Sequence, residues 1–224
     1  MRSILSSRPA CALLIAAALP LFSCDFAQPP IGCPVQRTTW AARFNLEPGQ
    51  AATGPCAQKG GERLGVQKYD DPAISEDQLV IKSLALATLD ADDPVNPSYS
   101  LGAFPSAAGP DGYCLSPSLS VSRKVVPASG LDIQYEWSDV QVVSRPDVPG
   151  SQLVAHLRYT EGGCSAEYEV WAQWPAVYCG DEAGNPSDAA CTEPGYGLNP
   201  EFASVCDPTQ LRCVPEKRPP SLRM

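Results

Sequence analysis

The sequence predicts a mainly β fold: a single antiparallel-sheet domain with a meander over residues 118–174, disulfide-stapled loops and little helix. The 24 prolines and 17 glycines among 224 residues indicate many turns and leave little room for long helices. Ten cysteines indicate cross-linking by cystines. The middle of the chain alternates apolar and polar residues with the period of a half-buried strand. Together these observations favour a loop-rich β domain.

Four runs in the middle of the chain have the alternation of β-strands. They are residues 118–126, 131–143, 152–160 and 164–174. The second run places Tyr135 and Trp137 on one face and then changes phase at Ser138-Asp139. One extra residue in a strand produces a β-bulge, so we expect a bulge at this position.

Gly162-Gly163 separates the last two runs, and its glycines accept the positive φ of a two-residue turn. Pairing Glu161 with Cys164 across the turn fixes the register of a hairpin. A shift by one residue would place Glu167 opposite Leu157 and bury the acid. The register predicts that Leu157 faces Tyr168, Ala155 faces Val170, Leu153 faces Ala172, Arg158 faces Glu167 and His156 faces Glu169.

The pattern is weaker outside the meander. The pattern predicts a strand over residues 35–46 and a short strand over residues 63–69. Residues 79–82 are a further apolar run, and Ser83 is predicted to start a short helix through Leu89. Residues 90–110 read as a loop. After Pro175 the alternation ends, and we expect that segment to depend on cystines for its order. The last residues, 216–224, are predicted to form a disordered tail.

The N-terminus has the layout of a secretory signal peptide. Arg2 and Arg8 precede an apolar run over residues 11–19 that is too short for a membrane span. The following Leu21-Phe22-Ser23-Cys24 resembles the lipobox of bacterial lipoproteins, in which the cysteine thiol receives a diacylglycerol and becomes the N-terminus. The prediction is a signal peptide over 1–23, a lipidated Cys24 with a tether over 24–32, and one disulfide-stabilised β domain over 33–215. The alternative is ordinary secretion, with Cys24 left as a thiol or half of a disulfide.

The remaining cysteines form an even set, as expected in an oxidising compartment. Cys11 would leave with the signal peptide and Cys24 would carry the lipid. The disulfide candidates are Cys33, Cys56, Cys114, Cys164, Cys179, Cys191, Cys206 and Cys213. Eight cysteines allow 105 complete pairings. Local closure favours Cys33 with Cys56 and Cys206 with Cys213, although Cys179 or Cys191 compete for the latter, and Cys114 is the natural partner of Cys164.

The mature chain is strongly acidic. Removal of Arg2 and Arg8 leaves 14 basic residues against 25 acidic ones, a formal charge of −11. Such a chain has no electrostatic footprint for nucleic acid. Anionic lipid would also repel it, so we expect its partner to be the lipid bilayer, reached through the acyl chains on Cys24.

Several motifs point to a family. They are Cys24-Asp-Phe, Trp40-Ala-Ala-Arg-Phe-Asn-Leu46, Leu64-Gly-Val-Gln67, Tyr135-Glu-Trp-Ser138, Cys179-Gly-Asp181, Gly197-Leu-Asn-Pro-Glu-Phe202 and Cys206-Asp-Pro208. With Cys33, Cys56 and Cys213 they resemble the small lipoproteins of myxobacteria, the group that contains myxobacterial lipoprotein A. The resemblance implies a palmitate-type lipoprotein of the cell outer membrane with no assigned activity. Asp25 departs from this, because aspartate after the lipid cysteine favours inner-membrane retention in enteric bacteria.

Motifs for catalysis and metal binding are missing. His156 is the only histidine, which excludes two-histidine sites, and the chain has neither a Gly-x-Ser-x-Gly elbow nor a Cys-x-x-Cys pair. We predict no cofactor and no metal. Two loops are rich in acidic residues and could be interpreted as calcium sites, but solvated turns have the same composition. The first loop contains Asp90, Asp92, Asp93 and Asn96, and the second contains Asp181, Glu182, Asn185 and Asp188.

Two further side chains have alternative readings. The predicted register makes His156 a surface partner of Glu169. Trp171 falls on the same outer face, where it is either covered by a segment such as residues 35–46 or part of an exposed aromatic binding patch.

The sequence therefore predicts a non-enzymatic envelope lipoprotein with a structural or binding role, whose partner beyond the bilayer is another envelope protein or a glycan. The rival reading is an envelope hydrolase with an unrecognised carboxylate or histidine site.

Overall fold

The computed structural model describes residues 32–50, 53–70 and 76–223. The signal segment, Cys24 and the tether up to Ile31 lie outside these residues. In the described part, the strands are β1 Thr38–Leu46, β2 Gly61–Tyr69, β3 Asp77–Ser83, β4 Tyr99–Phe104, β5 Tyr113–Ser118, β6 Ser122–Val126, β7 Leu131–Arg145, β8 Val148–Glu161, β9 Cys164–Gln173, β10 Ser204–Asp207 and β11 Arg212–Pro215. The helical pieces are short: a 3₁₀ turn at Pro55–Gln58, α1 at Leu84–Ala87 and α2 at Ala189–Thr192.

Nine of these described strands form one antiparallel sheet, in the order β4-β3-β2-β1-β9-β8-β7-β5, with β6 also paired to β7. The two outer strands of this order meet. The Ser120 N–H donates to the Leu101 carbonyl at 2.8 Å, and Ser116 Oγ donates to the Ala103 carbonyl at 2.7 Å. A Cβ atom at Gly102 would clash with the Ser118 carbonyl oxygen, so the two strands approach closely here. We call this nearly closed structure the rolled sheet, and it confirms the predicted mainly β fold.

The core lies inside the rolled sheet. Its largest fully buried side chains include Trp40, Trp137, Tyr168 and Phe104. Aromatic rings contact each other there: the ring centroids of Tyr135 and Trp137 are 6.2 Å apart. Alternation along each strand turns these residues inward, so the enclosed side chains and not the loops hold the sheet together.

The predicted hairpin and bulge are both confirmed. Strands β8 and β9 pair Glu161 with Cys164 and continue in the predicted register through Leu153 opposite Ala172. On the other side of β8, the pairing with β7 shifts by one residue between Ser138 and Gln141. Asp139 has a φ of 48° there, in the left-handed region that an inserted residue can adopt.

The middle of the chain differs from the prediction in two places. The predicted strand 118–126 is two strands, because β5 ends at Ser118 and Leu119 turns into the core before β6 begins. The predicted loop 90–110 contains β4, whose short length and preceding Asp-Pro and Asn-Pro pairs hide it in the sequence. The helix begins after Ser83 as predicted, with Ser83 Oγ accepting from the Leu86 N–H at 3.1 Å, but it ends at Ala87.

The C-terminal segment, residues 175–223, packs on the outside of the rolled sheet. Its buried residues, such as Phe202, form a second apolar cluster with Val143 and Val148 of the sheet. The predicted disordered tail is wrong for residues 216–223. Ser221 is fully buried and its N–H donates to Gln152 Oε1 at 2.7 Å. Arg223 donates to the carbonyls of Cys191, Thr192 and Phe202, which anchors the end of the described chain.

The eight described cysteines form four disulfides. They are Cys33–Cys114, Cys56–Cys164, Cys179–Cys206 and Cys191–Cys213. The presence of disulfides is confirmed, but each favoured pairing is wrong: Cys33 with Cys56, Cys206 with Cys213, and Cys114 with Cys164. Rolling of the sheet brings together residues 81 and 108 positions apart, so proximity along the chain is a poor guide. Cys206 and Cys213 do face each other across β10 and β11, yet Cys206 bonds to Cys179 in a loop and Cys213 to Cys191 in α2.

Candidate functional site

The rolled sheet has two distinct ends. The Gly32 end carries Gly32, the segment between β4 and β5, and the turn between β7 and β8. The Glu62 end carries the start of β2, the end of β3 and the hairpin between β8 and β9. The titratable groups inside the sheet gather at the Glu62 end.

A buried polar cluster lies at the Glu62 end. Glu62 points inward because it lies on the same face of β2 as the core residues Leu64 and Val66, two and four positions later, and it is 8% exposed. Its Oε2 accepts from Ser83 Oγ at 3.1 Å and from the Ala85 N–H at 3.2 Å. These two bonds join the start of β2 to the end of β3 and the first turn of α1.

Aromatic hydroxyls and one lysine complete this cluster. Lys59 Nζ lies 5.1 Å from the ring centroid of Tyr159 and 5.8 Å from that of Tyr135, which is cation–π geometry. Tyr159 Oη donates to Glu161 Oε2 at 2.5 Å. Within the described part of the chain, Glu62 Oε1 and Tyr135 Oη have no hydrogen-bond partner.

Burial raises the pKa of the Glu62 carboxyl, although Lys59 and the hydrogen bonds from Ser83 and the Ala85 N–H offset part of that effect. Burial also raises the pKa of Tyr135. A buried carboxyl that holds its proton can donate it, and groups with such shifts are candidates for acid–base chemistry. In this conformation the low exposure of Glu62 keeps a substrate from touching it. The hydrogen bonds that the carboxylate accepts here come from Ser83 and Ala85.

A second group lies on the outer face of the meander. Ser138, His156 and Glu169 face outward in one row, because Ser138 pairs with His156 across β7 and β8 and His156 pairs with Glu169 across β8 and β9. His156 Nδ1 lies 2.6 Å from Glu47 Oε1, and the imidazole is 47% exposed. Among the described residues, no hydrogen bond joins Ser138 Oγ to the imidazole. The row thus contains the residue types of a serine hydrolase without its hydrogen-bonded relay.

The predicted partner of His156 needs a correction. Glu169 is its neighbour in the sheet, as expected, but His156 contacts Glu47 instead. Glu169 accepts from Arg218 Nε at 2.7 Å and from Trp171 Nε1 at 2.8 Å. Burial alone would raise the pKa of Glu169, but the bonds from Arg218 and Trp171 outweigh it and lower that pKa.

Trp171 is half-buried on this outer face, so it is neither fully covered by another segment nor part of a fully exposed aromatic patch. Residues 35–46 lie beside it in the sheet, with Arg43 as its neighbour on β1. Arg218 of the C-terminal segment reaches the same face through Glu169. Trp171 is therefore tied to a local network and is not a free aromatic platform.

The oxygen atoms of the first acidic loop surround the ammonium group of Lys124. Lys124 is 2% exposed, and its ammonium donates to the carbonyls of Asp93 and Asn96 at 2.6 Å each. Asp90 Oδ1 lies 2.8 Å from the same nitrogen, and this contact lowers the pKa of Asp90 to about 2. The oxygens that a calcium ion would need are thus engaged by Lys124.

The second acidic loop is a hydrogen-bonded turn. Asp181 Oδ1 accepts from the N–H groups of Ala183 and Asn185 at 2.9 and 2.8 Å. Asp188 Oδ1 accepts from the Cys206 N–H at 2.7 Å and so fixes the loop to β10. Both carboxylates have structural partners, as the turn reading predicts.

The sulfur atoms of Cys179, Cys191 and Cys213 lie within 4.8 Å of one another. This spacing would suit a metal, but zinc needs thiolates, and these sulfurs belong to two disulfides that pack side by side. They form a covalent centre for the C-terminal segment.

Sequence reasoning missed the cluster at the Glu62 end. The signal was present in the spacing of Glu62, Leu64 and Val66 at every second position, which places an acid on a core face. Ser83 ends the neighbouring strand β3, but Tyr135 lies on β7, which comes near Glu62 only because the sheet rolls up. Cys24, the predicted lipidation site, lies outside the described residues.

Comparison with known proteins places this molecule in a family. The chain matches the model of the MlpA family over residues 38–175. It is 32% identical to a Myxococcus xanthus protein named "Putative lipoprotein MlpA", over 234 aligned positions that cover 94% of this chain and 96% of that protein. No solved structure matches the chain. Within residues 32–50, 53–70 and 76–223, no helix is long and apolar enough to span a membrane. The resemblance to the myxobacterial lipoproteins is confirmed, and this chain belongs to the MlpA family.

Proposed function

We propose that this chain is a lipoprotein of the bacterial outer membrane, anchored through acylated Cys24, with a structural or binding role and no catalytic activity. The observation that carries the proposal is the sequence Leu21-Phe22-Ser23-Cys24 behind an apolar signal segment, in a chain that belongs to the MlpA family. Its partners are the lipid bilayer and another envelope protein or glycan.

Two physical features support an anchored, extracytoplasmic domain. Four disulfides cross-link the described chain, and disulfides persist in oxidising compartments. The mature chain has 14 basic and 25 acidic residues, a formal charge of −11, which opposes binding to anionic lipid, so attachment needs the acyl chains. Burial of each methylene contributes about 0.8 kcal/mol, and two or more chains give stable anchoring.

The experiment is intact-mass analysis and detergent partition of Cys24→Ala. The wild type should partition into the detergent phase with a mass that shows signal removal and acylation. Cys24→Ala should remain uncleaved or appear in the aqueous phase. Cys11→Ala is the matched control, because that cysteine leaves with the signal and its loss should change neither property. A Cys24→Ala protein with wild-type mature mass in the detergent phase would overturn the proposal.

The second candidate function is hydrolysis at the outer-face row, favoured by the 2.6 Å contact between His156 Nδ1 and Glu47 with Ser138 across the strand pair. A glutamate that orients a histidine beside a serine is the arrangement of a serine nucleophile site. Against it stand the exposed imidazole and the missing bond from Ser138 Oγ.

A fluorophosphonate probe separates the two functions, because it labels activated serines covalently. We expect no labelling of the purified lipoprotein. Labelling that Ser138→Ala abolishes and Ser165→Ala leaves intact would establish the hydrolase instead, since Ser165 is an exposed serine whose hydroxyl lies 2.8 Å from that of Thr160.

A further inference from the structure

The point where the chain leaves the folded domain toward Cys24 is fixed at the Gly32 end. The Gly32 carbonyl accepts from Ser144 Oγ at 2.7 Å, and the Cys33 N–H donates to the Ser106 carbonyl at 3.2 Å. A disulfide joins Cys33 to Cys114 at the start of β5. Two hydrogen bonds and a disulfide thus fix the position of the exit point relative to the rolled sheet.

The length of chain beyond this point limits where the lipid can lie. Seven residues separate Cys24 from Gly32, so the two α-carbons are at most about 29 Å apart in a fully extended chain. Strand β8 runs from Val148 at the Gly32 end to Glu161 at the opposite end, on the order of 40 Å at about 3.3 Å per residue. An anchor at Cys24 therefore holds the Gly32 end closer to the bilayer than the Glu62 end.

The surface of the Gly32 end suits contact with phospholipid headgroups. Lys68 Nζ lies 2.7 Å from Asp77, and the Arg145 guanidinium lies 3.0 Å from Asp147, so these charges are paired within the chain. The exposed Asp111 is not in an ion pair with a described residue, and its Oδ1 accepts from the Tyr113 N–H at 3.2 Å. Paired charges are easier to bring into a less polar layer than single ones. Small or apolar residues lie exposed along this end, namely Ala107, Pro110 and Pro146.

From the fixed exit point, the short tether and the pairing of Arg145 with Asp147 we infer that the surface formed by residues 105–112 and 145–147 lies against the headgroups of the anchoring bilayer, and that the Glu62 end points away from it. We call this surface the membrane face. The inference rests on the proposed lipidation of Cys24. It assigns the membrane face to lipid and leaves the Glu62 end and its hairpin loops accessible to any envelope partner.

The test is lipid photolabelling of the full-length acylated protein. It is reconstituted in phosphatidylcholine vesicles that contain a phospholipid with a headgroup diazirine, irradiated, and digested for mass spectrometry. We expect label on residues 105–112 and 145–147, and little on the hairpin loops 126–131 and 161–164 of the Glu62 end. Equal labelling of both ends, or labelling of the Glu62 end alone, would contradict the inference.

A longer tether provides the second measurement without changing the domain. Insertion of 20 Gly/Ser residues between Gln28 and Pro29 lengthens the connection between lipid and domain. The local concentration of the membrane face at the bilayer should fall about sixfold, because it decreases with the −3/2 power of tether length. Labelling of 105–112 should fall with it. Unchanged labelling in both regions after the insertion would show contact that does not depend on the tether, and it would contradict the inference as stated.

Two readouts keep this test distinct from that of the proposed function. The intact mass and vesicle sedimentation of the same sample report whether Cys24 is acylated. If the protein is neither acylated nor sedimented with the vesicles, the proposed function is wrong. If the protein is acylated and sedimented but is labelled on the Glu62 end, only the inferred orientation is wrong.

Discussion

The rolled sheet and the C-terminal segment reach order by different physical means. The rolled sheet encloses a core in which large aromatic and branched side chains are fully buried, such as Trp40 and Trp137. The C-terminal segment shares an apolar cluster of ten buried residues, of which four are cysteines and two belong to the sheet. Packing therefore stabilises the sheet, whereas cross-links stabilise the segment.

Removal of a large core side chain should have the largest effect. Trp137→Ala should lower the free energy of unfolding by about 3–5 kcal/mol, because a buried tryptophan leaves a cavity inside the sheet. The matched control is Trp171→Ala, which truncates the half-buried tryptophan of the outer face and should cost clearly less. Urea denaturation of the purified full-length protein measures both. Equal losses would show that the enclosed core is not the main source of stability.

Removal of one disulfide should act on the other region. Cys179→Ala with Cys206→Ala opens a loop of 27 residues, worth about 3.5 kcal/mol in the chain-entropy model. Hydrogen exchange should accelerate in residues 175–223 while residues 131–174 keep their protection. Acceleration spread evenly over both regions would mean that the segment and the sheet unfold as one unit.

The buried lysine gives an intermediate effect inside the sheet region. Lys124→Met leaves the carbonyls of Asp93 and Asn96 without their donor and should cost about 1–3 kcal/mol in unfolding free energy. Lys82→Met is the control, because Lys82 contacts the same Asp90 from a 43% exposed position and should cost at most about 1 kcal/mol. Thermal melting of the two variants compares them directly, and an equal shift would contradict the role given to burial.

The smallest effect is a pH dependence. Burial raises the pKa of Glu62 above the 4.5 of an ordinary glutamate, so the folded protein binds this proton more tightly than the unfolded chain. The resulting stability is present below pH 4.5 and is lost as the pH rises through the folded-state pKa. Glu62→Gln should remove this loss, whereas Glu167→Gln on the outer face should keep it. Stability curves from pH 4 to 8 that coincide for wild type and Glu62→Gln would count against the raised pKa.

The sequence predicted the parts of the molecule that depend on local pattern. The two-glycine turn and the alternation on either side determine the β8–β9 register, since a one-residue shift would bury Glu167. The phase change at Ser138-Asp139 located the bulge for the same reason. Ser83 was identified as a helix start because its hydroxyl is suited to capping.

Features that depend on long-range topology were not predictable in this way. The partners of Cys33 and Cys56 lie 81 and 108 residues away and meet them only because the sheet rolls up. The burial of Ser221 and the anchoring of Arg223 likewise depend on groups from distant loops and strands. Glu62 combines the two situations. The sequence pattern indicates that its side chain faces inward, but it does not indicate which groups the side chain contacts.

Limited proteolysis of the reduced full-length protein tests the comparison most directly. Reduction removes the cross-links from both regions and leaves the apolar packing of each to hold it. We predict early cuts within residues 179–213, with the fragment that contains residues 131–174 surviving as a protected core. Early cuts within 152–174, with 179–213 still protected, would show that the two sources of order have been assigned to the wrong regions.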